Sequence, residues 1–260
     1  VPAVRKPRLL YVPFWATYLF LYAPIAVLVA MSFNSGDSPY SFDGFSLKWY
    51  GELAGNADIR QGLVNTLIVA VGATVLSTVL GTLLAVGMAR HSRSKALDAI
   101  GVLPAVLPDL VLGIGLLMFY VWVKMELGLR SVLLAHAVFG MAFVAAVVRT
   151  RLAHADTSLE EASRDLGATP AATFFRITLP QLAPGIAAGA LLAFTLSVDE
   201  FVIAFFTSAP TEPTLPIVIY SMVRFGVTPE INALATVLLA VSFTVVIAAQ
   251  RMTRLTESLS

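Results

Sequence analysis

All 17 Lys and Arg of this 260-residue chain stand outside six long apolar intervals, and that distribution constrains the fold more than any other feature. The intervals run approximately from Leu9 to Phe33, Leu63 to Ala89, Ala99 to Val123, Ser131 to Val148, Leu182 to Phe206 and Ile231 to Gln250. Crossing about 30 Å of hydrocarbon takes roughly 20 apolar residues as a helix, because backbone polar groups find no water there and must pair within the segment. Six membrane-spanning helices in an all-α integral membrane protein are therefore expected. Charged residues make up only 13% of the chain, against about 25% in a soluble domain, which excludes a water-soluble globule. The first apolar run far exceeds the roughly 7–15-residue core of a cleaved signal peptide, so it is expected to persist as a membrane helix. Cysteine is absent, which removes disulfides, thiolate clusters and thiol nucleophiles. The net charge of +1 comes without a basic arm, and nothing points to nucleic acid.

Where the charges fall orients the chain. Arg5, Lys6 and Arg8 precede the first interval; Arg90, Arg93 and Lys95 follow the second; Arg149, Arg151, Arg164 and Arg176 follow the fourth; Arg251 and Arg254 close the chain. The alternate loops carry only Lys48, Arg60, Lys124, Arg130 and Arg224. Basic residues concentrate on the cytoplasmic side, so both termini are expected there. One large outer loop (34–62) and one large inner loop (149–181) remain. Both are too small for a soluble domain, and residues 1–260 read as a single membrane domain. Gly185 and Gly189 form a small-xxx-small pair, and Gly81, Gly87, Gly113 and Gly115 would also permit close helix approach.

The inner loop reads Asp156-Thr157-Ser158-Leu159-Glu160-Glu161-Ala162-Ser163-Arg164-Asp165-Leu166-Gly167-Ala168-Thr169-Pro170. Thr157 or Ser158 can cap a helix, with Glu160 or Glu161 completing a capping box. Gly167 suits the left-handed position that ends it, and Thr169-Pro170 then supplies a new N-cap with proline in the first turn. Two short helices beneath the membrane are expected. On local physics alone, an amphipathic linker resting on lipid fits equally well.

Glu161-Ala162-Ser163, followed at fixed spacing by Gly167, Ile177 and Leu179-Pro180, resembles the EAA loop of ABC importer permeases, with Ser in place of the second Ala. The resemblance implies a type I importer (MetI-like) fold in which this loop docks on a separate ATPase subunit. Glu160, Glu161, Ala162, Asp165 and Gly167 would then carry the coupling contact. Leu196-Ser197-Val198-Asp199-Glu200-Phe201, Leu215-Pro216-Ile217 through Tyr220-Ser221-Met222-Val223, Val227 to Thr236 and Phe45 to Tyr50 are similar to spermidine/putrescine permeases of the PotC/PotI type. That likeness implies a bacterial inner-membrane subunit, paired with a second homologous permease, an ATPase dimer and an extracytoplasmic binding protein. ATP and Mg would belong to the ATPase, leaving no cofactor on this chain.

Three carboxylates lie inside the apolar intervals: Asp109, Asp199 and Glu200, with no Lys or Arg beside them. An Asp at the membrane centre costs about 2.5–3.5 kcal/mol, so such acids call for a pathway, a partner or a cationic substrate. Counted from Ala99 along one continuous helix, Asp109 lies roughly 15 Å in, near mid-membrane, with Pro104 and Pro108 loosening the helix around it. On a continuous fifth helix Glu200 is rotated about 100° from Asp199 and faces elsewhere. The resemblance adds to the case for Asp109 and Asp199. Trp49, Tyr120, Trp122 and Tyr220 offer faces to ammonium groups, or form an interfacial belt. His91, His136 and His154 lack metal-ligand spacing. The chain has no phosphate-binding loop, so it is not expected to hydrolyse ATP. The function read here is an ABC permease for a cationic amine. A secondary transporter coupled through the three acids, or an ABC permease for another solute, are the alternatives.

Overall fold

The computed structural model describes residues 11–38, 41–91 and 94–257. The basic residues Arg5, Lys6, Arg8 and Arg93 lie outside the described residues, as do the side chains of His91, Lys95, Arg251 and Arg254. Twelve α-helices are described: α1 (Tyr11–Met31), α2 (Lys48–Gly55), α3 (Ala57–His91), α4 (Lys95–Val106), α5 (Asp109–Trp122), α6 (Leu129–Leu152), α7 (Thr157–Asp165), α8 (Pro170–Thr173), α9 (Leu179–Asp199), α10 (Val202–Thr207), α11 (Leu215–Arg224) and α12 (Pro229–Glu257). A π turn, Phe174–Thr178, joins α8 to α9. Among the described residues the extended structure is one isolated bridge, Asn34 to Phe45.

Helix α1, helix α3, helix α6 and the run from Pro170 to Asp199 are each long and apolar enough to cross a membrane, and α4 with α5 forms a bent pair. The sixth expected span falls on α12. Two expected spans are broken rather than continuous. The third bends by 111° between α4 and α5, where Pro108 lacks an amide hydrogen and disfavours helical geometry at Leu107. The depth assigned to Asp109 by counting along one helix is therefore corrected, because Asp109 opens a new helix. The fifth span ends at Asp199, with Glu200 in extended backbone (φ −66°, ψ 111°) before α10 begins.

The chain divides into two compact units, residues 1–59 with 219–260, and residues 60–218. In the first, α1 and α2 each pack on α12. The segment after α1 winds around the buried side chain of Asn34, whose amide donates to the carbonyls of Ser38 (3.1 Å) and Ser41 (2.7 Å). Its Oδ1 accepts from the amides of Gly36 (3.3 Å) and Asp43 (2.8 Å). One polar side chain thus meets the backbone's hydrogen-bonding needs where no regular structure does.

In the second unit α6 is the hub, packing against α9, α4, α10 and α5. It came from the shortest expected span, yet it is the most buried of the spanning helices. Its inner face is largely small or β-branched: Val132, Ala135, Ala142, Val144, Ala145 and Val148. Lipid tails give helices little hydrophobic reason to associate, so close backbone approach and interhelical hydrogen bonds hold them together. Gly189 lies against Val144, where an added Cβ would sit 3.3 Å from its Cα, and Gly185 lies against the Arg151 side chain. Hydrogen bonds complete the unit: Asn65 to the Pro213 carbonyl (2.9 Å), Ser131 to the Thr207 carbonyl (2.6 Å) and the Leu215 amide to Thr66 (2.8 Å).

Candidate functional site

Two regions of the second unit gather the residues singled out by sequence: the α7 loop, and the meeting of the two helix breaks.

Helix α7 starts at a different cap from the expected one. Asp156, not Thr157 or Ser158, is the N-cap, and its carboxylate accepts from the Ser158 amide at 2.9 Å. Hydrogen bonding from the Ser158 side chain, and then from its amide, holds the Asp156 carboxyl below its ordinary range. Glu160 does not close a capping box. It is buried, and its Oε1 accepts from the Arg90 guanidinium and from Thr178 Oγ1 (2.7 Å). Gly167 has φ +85°, the left-handed geometry expected where the helix stops. Thr169 caps the next segment by accepting from the Ala172 amide (3.2 Å), with Pro170 in its first turn. The expectation of two separate short helices is corrected here, since α8 runs through the π turn into α9.

Glu161, Ala162, Asp165 and Gly167 are exposed, as are the apolar Leu159, Leu166 and Phe175. Leu166 is 89% exposed beside the helix end. Behind α7 a cavity of about 860 Å³ is lined by Arg90, Arg149, Glu160, Glu161, Arg164 and Phe174, among others. The helix ends around it are tied by Arg149 to Asp98 (3.4 Å) and by Arg151 to the Gln181 carbonyl (3.1 Å).

The second region arises because α5 packs on α10. Gly113 makes this possible: an added Cβ would lie 3.4 Å from the Ile203 Cα and 3.2 Å from Phe206. The two breaks, Pro108-Asp109 and Glu200-Phe201, therefore belong to helices that touch. Glu200 is buried at the break itself, within electrostatic range of Asp109 and Asp199, and its carboxylate accepts from the Ile203 amide (2.8 Å) at the start of α10. It is not a helical neighbour rotated from Asp199, as a continuous span required. Asp109 and Asp199 are exposed on this chain.

Trp49 lies in the first unit. It is buried, its indole nitrogen donates to the Asn34 carbonyl (2.9 Å), and the Lys48 ammonium sits 4.3 Å over its ring. Asp37, 3.0 Å from that ammonium, holds it above its ordinary pKa. Among the described residues no group of three His, Asp or Glu is placed to hold a metal ion.

Sequence reasoning did not single out Arg90 or Thr178. Arg90 carries a weak signal, as the first basic residue after a long apolar run. Thr178 carries none, because its position depends on the π turn.

Residues 77–257 match the family described as binding-protein-dependent transport system inner membrane component. Over 249 residues the chain is 41% identical to the putrescine transport system permease protein PotI of Escherichia coli K12, covering 92% of this chain and 88% of that relative. It is 39% identical over 241 residues to the spermidine/putrescine transport system permease protein PotC of the same organism, covering 92% and 91%. A solved bacterial ABC transporter involved in alginate import has a chain that superposes with a TM-score of 0.72 at 17% identity, covering 96% of this chain and 99% of that one. The inward-facing MetNI methionine ABC transporter superposes at 0.61 and 22% identity, covering 81% and 98%. At these identities the solved structures speak for the fold, which is that of type I importer permeases. With the family matched over most of its length and relatives at about two-fifths identity, the chain belongs to the binding-protein-dependent transport system inner membrane components, the permease subunits of ABC importers.

Proposed function

We propose that this subunit forms, with a second permease, the route of a polyamine such as putrescine or spermidine. The observation that carries the reading is the meeting of two broken helices at a place bearing two exposed carboxylates, Asp109 and Asp199, with Glu200 buried between the helix ends. Irregular backbone at membrane depth belongs where it lines a cavity, and unpaired intramembrane acids belong on a pathway. A dication moving past them exchanges part of its lost hydration for charge attraction. The names of the PotI and PotC relatives supply the substrate class.

Roles within the site differ. Asp109 and Asp199 attract the cation; Glu200, engaged by the α10 backbone, fixes the shape of the break. Trp49 belongs to the first unit, where its ring carries the Lys48 ammonium at 4.3 Å, a cation–π contact of the kind an amine substrate would use. On the α7 side, Glu161, Ala162, Asp165 and Gly167 form the docking surface for an ATPase subunit, and Glu160 holds that surface to the permease. ATP and Mg bind the ATPase, and an extracytoplasmic binding protein delivers substrate. The chain is one permease domain with both termini and the 149–181 loop in the cytoplasm, as the basic residues favour.

Uptake by proteoliposomes containing the complete importer, offered putrescine, spermidine, an amino acid and thiamine, tests the reading. ATP-dependent uptake of either polyamine in preference to the others is the expected result. Transport of a neutral amino acid alone would overturn the substrate assignment.

A further inference from the structure

Glu160 is buried, and its carboxylate takes two donors on one oxygen: Thr178 Oγ1 from the π turn and the Arg90 guanidinium from the end of α3. The Thr178 contact ties α7 to chain that follows it closely, and Ser163 to Thr173 (3.1 Å) does the same. Arg90 is different, because it reaches from a membrane-spanning helix 70 residues away in sequence. The space behind α7 at this point is the cavity of about 860 Å³, lined by Val86, Ala89 and Arg90 of α3. Apolar packing is therefore interrupted where α3 and α7 face each other, and an ion pair bridges the gap.

A charged bridge over a cavity transmits position differently from a packed face. A packed face spreads its resistance to separation over many weak contacts, whereas a guanidinium–carboxylate pair held in a half-buried setting concentrates it in one strong, directional link. Losing one member would also leave the other charged and poorly solvated. We propose that Arg90 is a positioning residue for transport: the strut through which displacement of the coupling helix α7 is handed to α3. The proposal rests on the coupling role given above to α7, and extends it to a residue outside the EAA loop.

The test uses the complete importer in proteoliposomes and reads polyamine uptake per ATP hydrolysed. Arg90→Gln and Glu160→Gln should each lower that ratio about fivefold or more, the low end of ordinary coupling between sites. Arg90→Lys, which keeps a donor and the charge, should fall between. The chain lacks cysteine, so an Arg90→Cys, Glu160→Cys double variant in cysteine-free partners provides an internal comparison. The same assembled protein should be poorly coupled before, and better coupled after, bridging by a short flexible bismaleimide. Wild-type ratios in assembled Arg90→Gln importers, or bridging that leaves the ratio low, would overturn the strut. Gly167→Asp separates the two levels of the argument. If it too is fully coupled, the docking role of α7 fails; if it is uncoupled while Arg90→Gln is not, the strut alone fails.

Discussion

His136 Nδ1 lies 2.7 Å from Ser197 Oγ, which places a polar link across the α6–α9 packing with both residues almost fully buried. No described group pairs with His136 Nε2. Ser197→Ala would strand the second ring nitrogen as well. Interhelical hydrogen bonds in membranes average about 0.6 kcal/mol, while a buried group left unpaired costs about 1–3 kcal/mol. A loss near 1 kcal/mol is expected, read as faster thermal inactivation of the purified importer. His136→Phe combined with Ser197→Ala should recover part of it, because the unpaired polar group is gone. A Ser197→Ala importer as heat-stable as wild type would show that the link contributes nothing.

Gly81 brings α3 close to the α6 backbone: an added Cβ would stand 2.7 Å from the Met141 carbonyl oxygen. A carbonyl held in helix α6 cannot step aside as a side-chain end can. Gly81→Ala should therefore cost about 1–3 kcal/mol by overpacking and lower the yield of assembled importer. Gly87→Ala, with nothing within 4 Å of the new carbon, should behave as wild type. Equal yields for the two variants would contradict the packing described here.

Acid should loosen the start of α7. The Asp156 carboxyl is held below its ordinary pKa by its bonds to Ser158, so folding favours its charged form. That contribution is present above the ordinary Asp value and is lost as pH falls through it toward the depressed folded value. Protection of the amides of Thr157 to Glu160 from hydrogen exchange, corrected for the intrinsic rate at each pH, should fall over that window. Asp156→Asn, which keeps an acceptor without a proton to gain, should show no such dependence, and Asp156→Ala should exchange faster at neutral pH.

Long uncharged intervals made the membrane helices legible because each span is a composition signal that tertiary context hardly alters. The left-handed Gly167 and the Thr169-Pro170 restart were legible for a related reason, being local chemistry. The breaks at Pro108 and Glu200 were not. A run of apolar residues reads alike whether straight or bent by 111°, and the proline that bends one helix only loosens another, as Pro184 inside α9 illustrates. The cap at Asp156 was missed because three adjacent residues, Asp156, Thr157 and Ser158, can each cap. Glu160 was assigned to its own helix because its partner Arg90 stands 70 positions away, a pairing that local spacing cannot express.

Asp109 and Glu200 should differ in substitution although both are acids at helix breaks. Glu200 is buried and bonded to the Ile203 amide, so Glu200→Gln keeps an acceptor for α10, and Glu200→Ala should lower assembly by removing it. Asp109 is exposed at the first position of α5, where its charge also complements the helix N-terminus by about 0.3–1 kcal/mol. Asp109→Asn removes the charge at little change in volume, and a neutral amide is easier to place in lipid surroundings than a carboxylate. Assembly should therefore hold while putrescine and spermidine uptake, normalised to importer abundance, slows. Because attraction grows with substrate charge, spermidine should be affected more than putrescine. Asp199→Asn should act in the same direction. Unchanged uptake of both amines by Asp109→Asn would remove this carboxylate from the pathway and leave it as the first-turn acid of α5.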